Sequence, residues 1–215
     1  MDRFGHGWVS RALAFLLVLA ACTPTFNWRE VQAGDDGYRV MLPAKPSHLQ
    51  RRINLDGLEV EMSMRAAEVE GMSFAVGAIR LPMGTLGVAP ARGAAGGHSS
   101  DELAASLRGR ALAAMRAQMV RNLRATERAA EPIEWLLVDG AGQLRGRVDG
   151  WQVEASGPGP GGKEAGASAD GKAIEMIARF AGHGDRVWQA VVIGPSIDRE
   201  QAKIFVESLR LIDGD

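Results

Sequence analysis

The dipeptide Asp56-Gly57 most restricts the fold of this chain, because it lies between two runs in which apolar and polar residues alternate. Asp-Gly favours a two-residue hairpin turn whose backbone twist matches that of paired strands. Counting residues outward from this turn along both strands places apolar residues opposite each other on one face and polar residues opposite each other on the other face. A shift of the pairing by one residue would mix apolar and polar residues on each face. The predicted pairs are Leu55 with Leu58, Asn54 with Glu59, Ile53 with Val60, and Arg52 with Glu61.

The rest of the pattern predicts more strands than helices. Ser99 and Glu102 form a capping box that begins a helix of about 25 residues, ending near Arg124. Ser196 is predicted to cap a final helix. The chain is therefore expected to be an α+β protein, with a mostly antiparallel sheet flanked by helices. Other strands are predicted at 26–31, 38–42, 58–65, 72–79, 134–138, 151–154, 174–180 and 186–193.

Residues 1–21 have the pattern of a secretory signal peptide, with a basic head and small residues before the cut. The apolar run 12–21 has about ten residues, well short of the ~20 that a membrane-spanning helix needs. Cys22, the only cysteine, follows directly. Leu19-Ala20-Ala21-Cys22 resembles the lipobox of bacterial lipoproteins, which implies that Cys22 is lipidated and becomes the first mature residue. The alternatives are a lone buried cysteine behind a plain signal peptide, or an uncleaved anchor.

This resemblance gives the chain an expected organisation and location. Residues 1–21 are the signal peptide, 22–26 are the lipidated cysteine and a short tether, and 27–213 are a single α+β domain. Flexible loops are expected near 82–98 and 156–171. Three tether residues reach about 10 Å at ~3.3 Å each, so the domain lies close to the bilayer. Thr23, where Asp would favour the inner membrane, implies the outer membrane, with the domain facing the periplasm.

Composition adds two limits. The chain has 215 residues and a net charge of −1, so it has no overall basic field that would attract nucleic acid, and no nucleic-acid partner is expected. With Cys22 used for lipid, no disulfide can form within the chain. Stability must then come from burial of an apolar core, which a domain of this size can supply.

Two passages resemble the opening and close of Mog1/PsbP-like domains. The first is 37–46, GYRVMLPAKP, and the second runs from Arg186 through Val191–Pro195 to Leu211. The resemblance implies an antiparallel sheet with helices on both faces, an α/β/α sandwich. Members of that family share no catalytic residues, so no site residue is carried over.

Reactive motifs are weak in this sequence, and no catalytic residue, cofactor-binding residue, cofactor or metal site is predicted. Gly157–Lys163 has phosphate-loop spacing but lacks the following Ser or Thr. Glu59 and Glu61 share a strand face that is better explained as solvated. The four histidines have no metal-ligand spacing. The remaining candidate is an arginine face of the long helix for lipid headgroups or an acidic partner, formed by Arg110, Arg121, Arg124 and Arg128. The favoured alternative is a solvated outer face of that helix.

The functional expectation follows from the anchor and the lack of a reactive motif. The leading hypothesis is a membrane-anchored, non-catalytic binding or assembly accessory of the cell envelope, held by acylated Cys22 and with an envelope protein as partner. The alternatives are an envelope hydrolase whose site is assembled from residues distant in sequence, and a purely structural lipoprotein. Whether the chain is an enzyme stays open at this point, with the balance against it.

Overall fold

A computed structural model describes residues 25–82, 97–159 and 173–213, with helical side chains described from Asp101 onward. Ten strands and two helices occur in these ranges. The helices are α1, Gly97–Asn122, and α2, Arg199–Ser208. The strands are β1 Arg29–Ala33, β2 Tyr38–Leu42, β3 Ser47–Leu55, β4 Leu58–Val69, β5 Met72–Arg80, β6 Thr126–Val138, β7 Leu144–Gly157, β8 Ile174–His183, β9 Arg186–Gly194 and β10 Arg210–Ile212.

All ten strands join one sheet in the order β1-β2-β10-β6-β7-β8-β9-β5-β4-β3. The pairing of β10 with β6 is parallel and every other pairing is antiparallel. The prediction of a mostly antiparallel α+β fold is thus confirmed. The hairpin register is also confirmed, from Leu55 opposite Leu58 to Arg52 opposite Glu61. Asp56 and Gly57 both have positive φ, 54° and 88°, as a tight turn of the expected type requires.

Each face of the sheet buries a separate apolar cluster beneath one helix. On the face that we call inner, Phe74 lies in a cluster with Phe205 and Val206 of α2. On the face that we call outer, Ala75 lies in a cluster with Ala111 and Met115 of α1. Alternate residues of the central strands therefore face opposite helices, which explains why β5 and β9 are apolar along nearly their whole length.

The sheet curls so that the β1–β2 turn lies over its inner face. In strand order, β2 and β9 are separated by five strand spacings, about 24 Å in a flat sheet at ~4.8 Å per spacing. Nevertheless, the Trp188 Nε1–H on β9 donates to the Asp36 carbonyl oxygen at 2.8 Å. Such strong curvature is an extension of the ordinary right-handed twist of sheets.

Several predicted boundaries are wrong by a few residues. The first strand begins at Arg29 rather than Phe26. Helix α1 begins at Gly97, so Ser99 falls inside its first turn instead of before it. Asp198, not Ser196, caps α2, because its carboxylate accepts from the backbone N–H groups of Glu200 and Gln201.

The predicted loops lie largely outside the described residues. Gly97 and His98 belong to α1, and β7 continues to Gly157, so those margins of the two loops are parts of regular elements. The signal peptide 1–21 and Cys22 lie entirely outside the described residues. In the described parts of the chain, no helix is both long and apolar enough to cross a membrane.

Candidate functional site

Three turns gather at one end of the sheet, which we call the upper end. They are Gly34–Gly37, Asp56-Gly57 and Gly184-Asp185. Each joins two paired strands, and the closing pairs are Ala33 with Tyr38, Leu55 with Leu58, and His183 with Arg186. The pairing directions across the sheet place all three turns at the same end. The opposite, lower end holds the start of β1, the Glu70-Gly71 turn and the start of α2. Two clefts open at the upper end, one on each face of the sheet.

The polar cleft lies on the inner face and has a volume of about 310 Å³. The Arg186 guanidinium lies over Gly37, where a Cβ would come within 2.0 Å of its Nη1 atom, so a larger residue at this position would displace the guanidinium. Arg80 pairs with Asp185 at 3.2 Å beside it. The cleft therefore mixes charges of both signs. Its lining is Asp35, Asp36, Gln50, Glu61, Ser63, Ala78, Ile79, Arg80 and Arg186.

A serine, an aspartate and a histidine form one hydrogen-bonded line in this cleft. The Ser63 hydroxyl donates to Asp36 Oδ2 at 2.8 Å, and His48 Nε2 lies 3.1 Å from the same hydroxyl oxygen. In a hydrolytic triad the imidazole lies between the hydroxyl and the carboxylate and removes the hydroxyl proton. Here the hydroxyl occupies the middle position, so its proton is directed at the carboxylate and the ring nitrogen acts as donor. This order does not make Ser63 a nucleophile activated by His48.

Tyr38, which is buried, and Arg65, which is partly exposed, lie next to this line. Tyr38 has no exposed surface, and among the described residues its hydroxyl has no hydrogen-bond partner within ordinary geometry. Burial raises the pKa of Tyr38 far above its usual range, the Asp36 charge adds to this, and Arg65 opposes it. Arg65 Nε lies 4.0 Å from Asp36 Oδ2. The phenol therefore stays neutral and serves as a core residue.

The apolar groove lies on the outer face, between the tip of the β3–β4 hairpin and α1, and has a volume of about 440 Å³. Leu103 is 47% exposed within it. Polar groups occur at its rim, with Asp56 on the hairpin side and Arg110 on the helix side. Such a groove suits an apolar side chain better than a charged ligand. The remaining lining is Leu55, Gly57, Leu58, Ser106, Leu107 and Ala111.

The four arginines of the predicted surface do not form one patch. Arg110 lies beside the groove at the upper end. Arg121 is in the last turn of α1, three turns away, or about 16 Å at ~1.5 Å per residue. Arg124 follows the helix with φ of 49°, and Arg128 lies on β6. The last three are thus at the lower end, and the structure does not bring Arg110 together with them.

Other long side chains of the sheet and of α1 have structural contacts. Arg108 donates to the Gly184 carbonyl at 2.8 Å. Trp135 and Trp188 are buried, whereas Trp151 is 49% exposed. In the described ranges, no group of three His, Cys, Asp or Glu side chains could hold a metal ion.

Sequence reasoning missed the polar cleft. Asp36 and Ser63 are 27 residues apart and come together only because the sheet curls. A partial signal existed for His48 and Ser63, because the hairpin register extends to Gln50 opposite Ser63 and His48 opposite Arg65. Residues diagonal to each other on one strand face are within reach of long side chains.

Comparison with known proteins found likenesses among solved structures. No protein-family model matches the chain, and no curated protein matches it. Among solved structures, the chain is similar to the solution structure of cyanobacterial PsbP (CyanoP) from Synechocystis sp. PCC 6803, with a TM-score of 0.44 and 11% sequence identity. That alignment covers 89% of this chain and 95% of the other.

Proposed function

We propose that this chain is a lipoprotein anchored by acylated Cys22 in the outer membrane, whose periplasm-facing body is a non-catalytic binding or assembly accessory. We further infer that the body is a Mog1/PsbP-like α/β/α sandwich, since one described helix packs on each face and the two ends of the sheet region carry the matching passages. The partner of this accessory is an envelope protein that docks at the upper end.

One observation carries the proposal: the chain begins its described body at the lower end, while both clefts open at the upper end. Nine residue-to-residue steps of mostly extended chain lead from Thr25 to Gly34, about 30 Å at ~3.3 Å per step. A tether of three residues after Cys22 would hold the lower end beside the bilayer. The two clefts would then face away from the membrane, where a partner can reach them.

The anchor is tested by Cys22→Ala. The variant is expected to leave the membrane fraction, because each buried CH₂ of an acyl chain contributes about 0.8 kcal/mol to membrane attachment and these chains would be lost. Mass spectrometry of the wild-type N-terminus should find a lipidated cysteine as the first residue. A membrane-bound Cys22→Ala variant, or a bare sulfur at residue 22, would refute the anchor.

The orientation is tested with a matched pair of turn residues. Asp56 and Glu70 are exposed and share nearly the same backbone φ, 54° and 53°, but lie at opposite ends of the sheet. Each is changed to cysteine and labelled with a fluorophore in membranes, where acylation leaves no other thiol. A headgroup-attached quencher should reduce emission at position 70 several-fold more than at position 56. Equal quenching would mean that the body lies on its side.

Docking is tested with a photo-crosslinking amino acid at Leu103, in the groove, and at Ile204, on α2. These side chains are 47% and 45% exposed, so exposure alone predicts equal labelling. A discrete adduct is expected only from position 103, and it should disappear when Leu58→Glu places a charge in the groove. Adducts of equal yield from both positions would contradict a specific partner at the upper end.

The alternative is an envelope hydrolase, whose site would have to be assembled from residues distant in sequence, as Asp36 and Ser63 are in the polar cleft. The full chain can be screened against ester, amide and glycoside substrates with Ser63→Ala as the control. Turnover that Ser63→Ala abolishes would favour the hydrolase and remove the non-catalytic proposal. A purely structural lipoprotein would give neither turnover nor a site-specific adduct.

A further inference from the structure

A third cleft, of about 240 Å³, lies on the inner face between α2 and strands β7 and β8, away from both upper-end clefts. Its floor is apolar and well packed, with Ile177, Ala202 and Val206 all buried. Charged side chains surround this floor. Three are cations, Arg179, Arg199 and Lys203, and two are carboxylates, Glu154 and Glu207.

The two exposed cations at the rim already have carboxylate partners. Arg199 Nη1 lies 2.7 Å from Glu154 Oε1, and Lys203 Nζ lies 3.9 Å from Glu207 Oε1. These pairs use both carboxylates of the cleft. Arg179 is therefore the one cation lining the cleft that has no described carboxylate in ion-pair contact, although Glu207 and Glu131 act on it from a greater distance.

Arg179 is partly buried and firmly positioned. Its Nε–H donates to Gln152 Oε1 at 2.8 Å, and Nη1 donates to the Val206 carbonyl at 3.3 Å. The Gln152 amide in turn donates to Glu131 Oε1 at 2.7 Å, which fixes the direction of its oxygen. Burial lowers the pKa of Arg179 from its ordinary value, while the charges of Glu207 and Glu131 oppose this.

The remaining donors of Arg179 are uncommitted. A guanidinium has five N–H groups in a planar fork. In the described ranges, the Nη2 group has no hydrogen-bond partner and no carboxylate oxygen lies within 4.0 Å of this guanidinium. A partly desolvated cation that lacks a carboxylate partner gains most from an anion that can accept two parallel hydrogen bonds.

We propose that this cleft binds a small organic anion, whose carboxylate or phosphate oxygens accept from the Nη groups of Arg179 while its carbon skeleton lies on Ile177, Ala202 and Val206. Lys203 and Arg199 at the rim draw the anion in. The volume is below the ~300–1,000 Å³ of pockets for drug-sized ligands, so the ligand is a compact metabolite-sized molecule. This site is independent of the anchor and of the upper-end clefts.

The test is calorimetric titration of the full chain in detergent with acetate and, separately, with inorganic phosphate, at constant ionic strength held by chloride. Saturable binding of at least one anion is expected, and the tighter one tells which head group the site prefers. Arg179→Gln should weaken binding about ten-fold or more, the loss expected for charged hydrogen bonds. Arg147→Gln, an exposed arginine paired with Glu134 at 2.7 Å, is the control and should bind normally.

A second variant protects the test against misfolding. Lys203 has a side chain that is 70% exposed, so Lys203→Glu leaves the interior intact and should weaken binding several-fold by repelling the anion. Absence of saturable binding for both anions would overturn the proposal. Binding that Arg179→Gln and Lys203→Glu leave unchanged would overturn it as well, because the ion would then be held elsewhere.

Discussion

The hydrogen bond between Trp188 and the Asp36 carbonyl holds the β1–β2 turn over the inner face, and its contribution can be isolated by an internal control. Trp188 is 1% exposed and its indole N–H donates to that carbonyl at 2.8 Å. Trp135 is 2% exposed, yet within the described part of the chain its indole nitrogen has no partner. The same substitution to phenylalanine therefore removes equal volume at two buried sites but a hydrogen bond at only one.

The expected costs follow from three contributions. Each Trp→Phe change leaves a cavity of about 40 Å³, which costs about 1 kcal/mol at ~24 cal/mol per Å³. At Trp188 the Asp36 carbonyl also loses its donor, which adds about 1–3 kcal/mol. At Trp135 the change removes a buried unpaired N–H, and relief of its desolvation offsets the cavity. Trp188→Phe should thus destabilise by about 2–4 kcal/mol, and Trp135→Phe by no more than about 1 kcal/mol.

The assay is urea unfolding of the full chain in detergent, followed by far-UV circular dichroism so that loss of a fluorophore does not affect the signal. The slope of free energy against urea should be the same for both variants, and the midpoint should fall further for Trp188→Phe. Amide hydrogen exchange should also accelerate in residues 34–42 of that variant alone. Equal destabilisation by the two substitutions would refute a contribution from the Trp188 hydrogen bond, because the lost side-chain volume alone would then explain both results.

Three further predictions concern other parts of the fold. Phe205→Ala should destabilise by about 3–5 kcal/mol in the same urea experiment, since the ring is fully buried between α2 and the sheet; a cost below 1 kcal/mol would contradict this. Asp198→Ala should lower the unfolding free energy by about 1 kcal/mol through loss of the helix cap, while Ser196→Ala stays within about 0.5 kcal/mol of wild type. A larger loss for Ser196→Ala than for Asp198→Ala would mean that Ser196 is the cap of α2. Hydrogen bonding to Arg116 lowers the pKa of Glu127 in the folded protein, so the ion pair stabilises the fold above the unfolded pKa of about 4.3 and this stabilisation is lost as pH falls through the lower folded pKa. The difference in unfolding free energy between wild type and Glu127→Gln should therefore shrink below about pH 4. A difference that grows on acidification would contradict this prediction.

The sequence was most informative where local chemistry alone determines structure. Asp56 and Gly57 define a turn, and the turn defines the register of two strands without help from the rest of the chain. Interior strands β5, β8 and β9 were also predicted nearly to the residue, because they are apolar and end at turn residues.

The sequence was least informative where contacts between distant segments determine the local structure. The first half of β6 is exposed and mostly lacks large apolar residues, so it shows no alternation that predicts a strand. It forms a strand because β7 pairs with it. Strand β10 has three residues, too few for any period to be read. The polar cleft depends on the curl that brings Asp36 to Ser63, a property of the whole sheet. Arg124 and Arg128 do not lie on α1, because this helix ends at Asn122 and β6 begins at Thr126.

The short strand β10 has a consequence for the order in which the chain can fold. It is bonded to β2 on one side and to β6 on the other, so it alone connects the β1–β2 hairpin to the remainder of the sheet through backbone pairing. A ribosome delivers a chain from its N-terminus, so residues 210–212 are synthesised after every other described strand. The first hairpin must therefore wait for the last strand, which gives this topology a high contact order and a slow final step. During that interval the inner apolar surface stays open, and a chaperone has its clearest opportunity to bind.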